Sequence, residues 1–89
     1  MEIAPLSVAS ALEFLVKHER HYKTEAEPIF AIGLSDGNAI RGAVIVGKNE
    51  SFDAAIAHIY SDGEYQGYTL LYGAAVRAAK ALGYERMIL

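Results

Sequence analysis

The chain of 89 residues contains no cysteine and no tryptophan. The first absence removes disulfide scaffolds, thiolate metal ligation and cysteine nucleophiles together. Positive charge is also scarce, with eight Lys and Arg against eleven Asp and Glu and a formal net charge of −3. Binding to a nucleic-acid backbone rests on Lys and Arg that release counterions from phosphates. The basic residues here are dispersed, and no aromatic and basic stripe of the single-strand-binding kind accompanies them, so a nucleic acid is not expected as the main ligand. An acidic surface suits a basic protein partner better. Long apolar runs are missing too. No stretch approaches the ~18 consecutive apolar residues of a membrane span, and no basic segment followed by an apolar run opens the chain as a signal peptide would. The expectation is a cytoplasmic protein without a membrane partner.

What is present is a globular composition, with 53% apolar and 21% charged residues. Disordered chains are poorer in the first and richer in the second. The length allows one domain, 1–89, which buries only about 60–65% of the surface exposed by its unfolded chain. Its stability is therefore expected to be marginal or shared with a partner.

Glu2-Ile3-Ala4-Pro5 reads as a short extended lead-in, because the residue before a proline disfavours helix. Ser7 is a candidate N-cap for a helix whose buried stripe is Val8, Ala11, Leu12, Leu15 and Val16, with Glu13 and Lys17 able to pair outside and an end near His18. The polar, aperiodic segment Glu19 to Pro28 reads as a loop. Ile29 to Leu34 and Ile40 to Val46 are strands joined by the turn Ser35-Asp36-Gly37-Asn38. After a second turn, Phe52 to Tyr60 supplies the third strand of a meander. Leu70, Leu71, Ala74, Ala75, Ala78 and Leu82 recur at the spacing of one helix face, Gly83 stands at the C-cap, and Arg86 to Leu89 forms a last strand. A helical crossover would lay that strand parallel to the third one.

The loop Ser61-Asp62-Gly63-Glu64-Tyr65-Gln66-Gly67 opens into this long helix. A helix start presents unpaired backbone N–H groups and a positive dipole end, where an anion such as a pyrophosphate can dock. The arrangement resembles the acyl-CoA-binding motif of the GNAT N-acyltransferase superfamily. The likeness is carried by Gly63, Gly67, the Leu70-Leu71 pair, Gly83 and the closing Arg86-Met87-Ile88-Leu89. Four segments, His18-Glu19-Arg20-His21, Phe30-Ala31-Ile32-Gly33, Gly42-Ala43-Val44-Ile45-Val46-Gly47 and Leu71-Tyr72-Gly73-Ala74-Ala75, are further similar to small GNAT-like proteins carried by bacteriophages and integrative elements.

The resemblance implies an α/β (α+β) fold: a GNAT-like half domain in which an antiparallel meander is followed by a crossover helix and a parallel terminal strand. It also implies a cofactor, acetyl-CoA, held by the backbone at Gly63, Tyr65, Gln66, Gly67 and Tyr68. The GNAT fold continues past this strand with a helix and two strands. Ending at Leu89, the chain is expected to leave Met87, Ile88 and Leu89 on a bare edge that a second copy would cover, making a homodimer.

Acyl transfer to an amine needs a base and a donor to the leaving thiolate. Many GNAT members carry a Glu on the strand before the loop. Here His58 is the group on that strand suited to proton transfer near neutrality. The family's donor Tyr lies in the helix that would follow Leu89. Tyr60, Tyr65, Tyr68 and Tyr72 gather around the loop instead, so His58 and Tyr60 are the catalytic candidates and neither is assigned. Asp62 and Glu64 place two carboxylates beside the loop, and Tyr65 occupies its middle, where close approach of a pyrophosphate favours glycine. Like charges at ~4–5 Å cost on the order of 1 kcal/mol in water and more when partly buried. No cofactor is therefore expected. His18 and His21 can share one helical face, but zinc needs further ligands that the chain does not offer, so no metal is expected.

Two readings follow. The first is a non-catalytic protein-interaction module, which the phage and mobile-element resemblance casts as an inhibitor of a host protein complex, anti-defence and anti-CRISPR-like. Its surface would comprise Asp62, Glu64, Tyr65, Tyr68, Tyr72, Met87, Ile88 and Leu89. The alternative is an acetyl-CoA-dependent N-acyltransferase acting as an oligomer.

Overall fold

Ser35-Asp36-Gly37-Asn38 forms the turn that its composition predicts. The Asp36 Oδ1 accepts the N–H groups of Asn38 at 2.8 Å and Ala39 at 2.9 Å, and Gly37 takes a φ of 96°, which a side chain would resist. The hairpin around this turn is the middle of the fold.

The computed structural model describes residues 1–18, 26–62 and 65–88, with the backbone but not the side chain of Tyr65. Most of the loop expected between Glu19 and Pro28 lies outside these residues. In chain order the elements are β1 (Glu2–Leu6), α1 (Val8–Lys17), β2 (Glu27–Ser35), β3 (Ile40–Lys48), β4 (Ala54–Ser61), α2 (Tyr65–Ala81) and β5 (Met87–Ile88). The strands form one mixed sheet in the order β1-β2-β3-β4-β5, antiparallel throughout except for the parallel pair β4 and β5. The meander, the crossover helix and the parallel last strand are thus as the spacing predicts.

The lead-in proves to be a full strand. Glu2 pairs with Ser35 and the ladder runs to Leu6 opposite Ala31. Pro5 is tolerated there because β1 is the sheet edge, where one side of the backbone needs no partner.

From Gly42 to Gly47 every residue of β3 is buried, because both faces of the strand are covered. Ala43 and Ile45 pack on Ala11, Phe14 and Leu15 of α1, whereas Val44 and Val46 join Leu34, Ala54 and the α2 residues Leu71, Ala75 and Ala79. Alternation along one strand therefore puts the two helices on opposite faces of the sheet, giving three layers.

Both helices are rotated from their expected phase. α1 starts as predicted, with the Ser7 Oγ accepting the Ser10 N–H at 3.1 Å, but it buries Ala11, Phe14 and Leu15 while Val16 is 56% exposed. The Phe14 ring, larger than Val16, takes the position facing the sheet. Glu13 and Lys17 are not joined by an ion pair, whereas Arg41 pairs with Asp36 and Asp62 and Arg86 with Asp53.

α2 begins at Tyr65 and turns Leu71, Ala74, Ala75 and Ala79 inward, leaving Leu70 and Leu82 exposed, so the expected stripe of Leu70, Ala78 and Leu82 is corrected toward Ala79. Its end matches a Schellman cap. The N–H of Gly83, at φ 83°, donates to Lys80 O at 3.1 Å and that of Tyr84 to Ala79 O at 3.4 Å.

A clamp then sets β5 against β4. Asp53 accepts Arg86 Nη2 at 2.8 Å, Nε at 3.3 Å and the Arg86 backbone N–H at 3.0 Å. In return the Arg86 carbonyl accepts the Asp53 N–H, and Arg86 Nη1 reaches Glu50 O at 3.1 Å. The Arg86 side chain, with its backbone N–H adding to the effect, holds the Asp53 carboxyl below the ordinary aspartate value of 3.8. A lowered native pKa means that the clamp contributes its full stability above that value and loses it as the pH falls through the native one. The thermal midpoint of the protein is accordingly expected to drop in acid below about pH 4, and Asp53→Asn to flatten part of that limb in a melting series. Part of the limb will remain, since Asp36 is lowered as well, chiefly by the Asn38 and Ala39 amides.

Candidate functional site

The site is the end of the sheet where β4 runs into α2. Between Ile45 and Val46 of β3 the ladder with β4 shifts, pairing Ile45 with His58 and Val46 with Ile56, so that Ala57 is the extra residue of a bulge. A bulge re-aims the side chains beyond it. His58, opposite Ile45, and Tyr60, opposite Ala43, thereby share the α1 face, while Ile56 and Ile59 pack on the α2 side. The structure thus brings the two catalytic candidates to one face of one strand. Each is half-buried and engaged in interactions of its own.

Tyr60 belongs to an aromatic trio that the sequence did not disclose. Its ring lies 6.1 Å from Phe14 and 5.6 Å from His18, and the Phe14 and His18 rings, tilted by 46°, are 4.3 Å apart. His18 is the C-cap of α1, and the trio ties that end of the helix to β4. A cleft of about 480 Å³ opens beside it, walled by Glu13, Lys17, His18, Arg41 and Asp62.

Asp62 is not the unbalanced charge that the loop sequence suggests. Its N–H donates to Arg41 O at 2.7 Å and its Oδ2 stands 3.2 Å from Arg41 Nη2. Arg41 comes from β3 and also lies 3.9 Å from Asp36, so one guanidinium spans the β2–β3 turn and the end of β4. The Arg41 Nε is buried without a partner. A signal for Arg41 did exist, a charge near the start of the apolar run Ile40 to Val46, but nothing in the sequence named its acceptor.

At the start of α2 the backbone amides of Tyr65, Gln66, Gly67 and Tyr68 are the first of the helix and have no acceptor within it. Gln66 is exposed, Tyr68 half-buried and Gly67 buried. Gly67 is demanded by packing. A Cβ there would fall on Ser61 Oγ and come within 2.9 Å of Leu34 Cδ2. Gly63, Glu64, Leu89 and the Tyr65 side chain, all candidates from the sequence, lie outside the described residues, as does His21.

The proposed interaction residues divide into two groups. Asp62, Tyr68 and Tyr72 stand near the start of α2, with Tyr72 44% exposed. Met87 and Ile88 pair instead with Ala54 and Ala55 at the other end of β4, roughly 20 Å away at the rise of a strand. Met87 is half-buried against the α2 core, whereas Ile88 is 61% exposed.

Among the described residues no group of three His, Cys, Asp or Glu could hold a metal, and no helix is long and apolar enough to cross a membrane. Compared with protein-family models, with curated proteins and with solved structures, the chain gives no match.

Proposed function

We propose that the chain is a protein-interaction module that presents the edge strand β5 to an extended segment of a partner, and that two copies pair through the same edge. The observation that carries this reading is the Asp53–Arg86 clamp behind Ile88. A strand of two residues has little ladder of its own, yet this one is held in register by side-chain and backbone bonds while Ile88 faces outward at 61% exposure. Open edges are templates for pairing, and proteins commonly blunt them by keeping the strand short or with Lys, Pro or a bulge. Met87-Ile88 is short but carries no Lys, Pro or bulge, the clamp holds it in place, and among the described residues no strand lies beyond it. A rigid edge lowers the ordering cost of a partner strand. Inhibition of a host protein complex, the use that the phage resemblance implies, would act by occupying such a strand-pairing surface. His58 and Tyr60 have no chemical role in this reading, and Tyr60 serves packing.

Sedimentation equilibrium at micromolar concentration tests the proposal. The protein is expected to sediment as a dimer and Ile88→Lys as a monomer. A monomer indifferent to that substitution overturns the proposal.

The alternative, acetyl-CoA-dependent N-acyltransfer, is favoured by the placement of His58 and Tyr60 on one face of β4. In that reaction His58 would take the proton of the acceptor amine and Tyr60 would protonate the leaving thiolate, with the amides of Tyr65 to Tyr68 on the pyrophosphate. A ligand bound only by the native state stabilises it by about 2.7 kcal/mol at a hundred times its Kd. The interaction reading expects no change of melting temperature on titration with acetyl-CoA; a saturable rise selects the enzyme.

A further inference from the structure

We infer that the cleft beneath the end of α2 receives a cationic side chain, lysine or arginine, from the segment that docks along β5, an inference that rests on the interaction reading above. The cleft measures about 540 Å³ and lies between the β3–β4 turn and the residues that lead from α2 into β5. Arg86, the residue before β5, is part of its wall, so a strand laid along β5 passes its mouth within a residue or two.

The chemistry of the wall selects the occupant. Asp53 and Arg86 satisfy each other and carry no net charge outward. That leaves the carboxylates of Glu27 and Glu50 against the single ammonium of Lys48, with no ion pair drawn between them among the described residues. The balance is negative. α2 ends at Ala81, three residues before Tyr84 in the same wall, so the negative end of its dipole lies on this side. Phe52 and Tyr84, both half-buried, supply apolar surface for the methylene stem of a Lys or Arg and ring faces for its charge. An acidic or purely apolar side chain would find one of these features unfavourable, whereas a long cationic one uses all of them.

Amide NMR spectra of the whole protein, titrated with N-acetyl-arginine amide and N-acetyl-lysine amide, provide the test. Saturable shifts are expected at Glu50, Phe52 and Tyr84, weakened by added salt and absent with the neutral isostere N-acetyl-citrulline amide. The double variant Glu27→Gln/Glu50→Gln should retain the native spectrum and bind roughly fivefold to tenfold more weakly, the loss expected for two partly exposed ion pairs. The absence of saturable shifts, equal shifts with citrulline, or unchanged binding by the double variant each overturns the assignment. Loss of self-association in Ile88→Lys is read independently of this cleft. A dimer with an inert cleft therefore leaves the interaction module standing and removes only its cationic contact.

Discussion

Ala75→Asp is expected to abolish cooperative unfolding at room temperature, whereas Arg77→Ala, two residues along the same helix, is expected to change the midpoint little. Ala75 has no exposed surface and sits among Leu34, Val44, Val46, Leu71 and Ala79. A carboxylate forced into that layer has no hydrogen-bond donor or cation to meet it, at a cost of several kcal/mol. A domain of this length has about 5–10 kcal/mol in total. Arg77 is exposed on the other side of α2, where substitutions stay within about 0.5 kcal/mol. Urea unfolding followed by far-ultraviolet circular dichroism measures both. Similar midpoints for the two variants would mean that α2 presents a different face to the sheet.

The second large effect is a reversal of sign between two glycines of that helix. Gly67→Ala is expected to destabilise the protein by about 1–3 kcal/mol, since the added methyl overlaps Ser61 Oγ and crowds Leu34 Cδ2 and Ser61 Cβ, both at 2.9 Å. Neither neighbour can retreat easily. Ser61 is at the end of β4 and Leu34 is fully buried. Gly73→Ala meets only the far end of the Arg77 side chain, at 3.1 Å, and should gain about 0.8–1 kcal/mol from helix propensity. Chemical denaturation of the two variants beside the parent decides the matter. If Gly67→Ala were as stable as Gly73→Ala, the close seating of the first turn of α2 on β4 would be wrong. The contrast also bears on cofactor tests: a substitution at Gly67 that removed acetyl-CoA binding would report the loss of the fold as readily as the loss of a phosphate contact.

Much of the framework was legible because it depends on local chemistry. Asp36 and Gly37 dictate their turn wherever it occurs, Ser7 caps the helix behind it, and Gly83 ends α2 through its own backbone angle. The phase of α2 was not legible. Leu70, Leu71, Ala74, Ala75, Ala78, Ala79, Ala81 and Leu82 spread apolar residues around much of the helix, so several rotations fit the sequence equally well. The choice is made by close approach at Gly67, which involves residues of β2 and β4. Phe14 was missed for a related reason: the stripe through Val8 and Val16 is just as periodic, and only the partner surface of β3 and Tyr60 favours the ring.

The site was hardest to read because its charges are paired at long range. Asp53 and Arg86 stand 33 residues apart, and their clamp exists only because β4 and β5 start side by side. Asp62 looks like an obstacle to an anion until Arg41, delivered by a neighbouring strand, is placed 3.2 Å from it. Spacing along a chain carries no record of such meetings.

The opposite placement of the two helices has a consequence for biosynthesis. β1, α1 and the meander emerge from the ribosome first, and α1 can close over Ala43 and Ile45 as soon as β3 and β4 are paired. α2 follows β4 in the chain, so its docking comes after an interval in which the sheet can already have paired. Through that interval the nascent sheet has one finished face and one bare one, bearing Leu34, Val44, Val46, Ile56 and Ile59. A holding chaperone would find its apolar target there, and delayed docking of α2 would lengthen the exposure and favour misassembly between neighbouring chains.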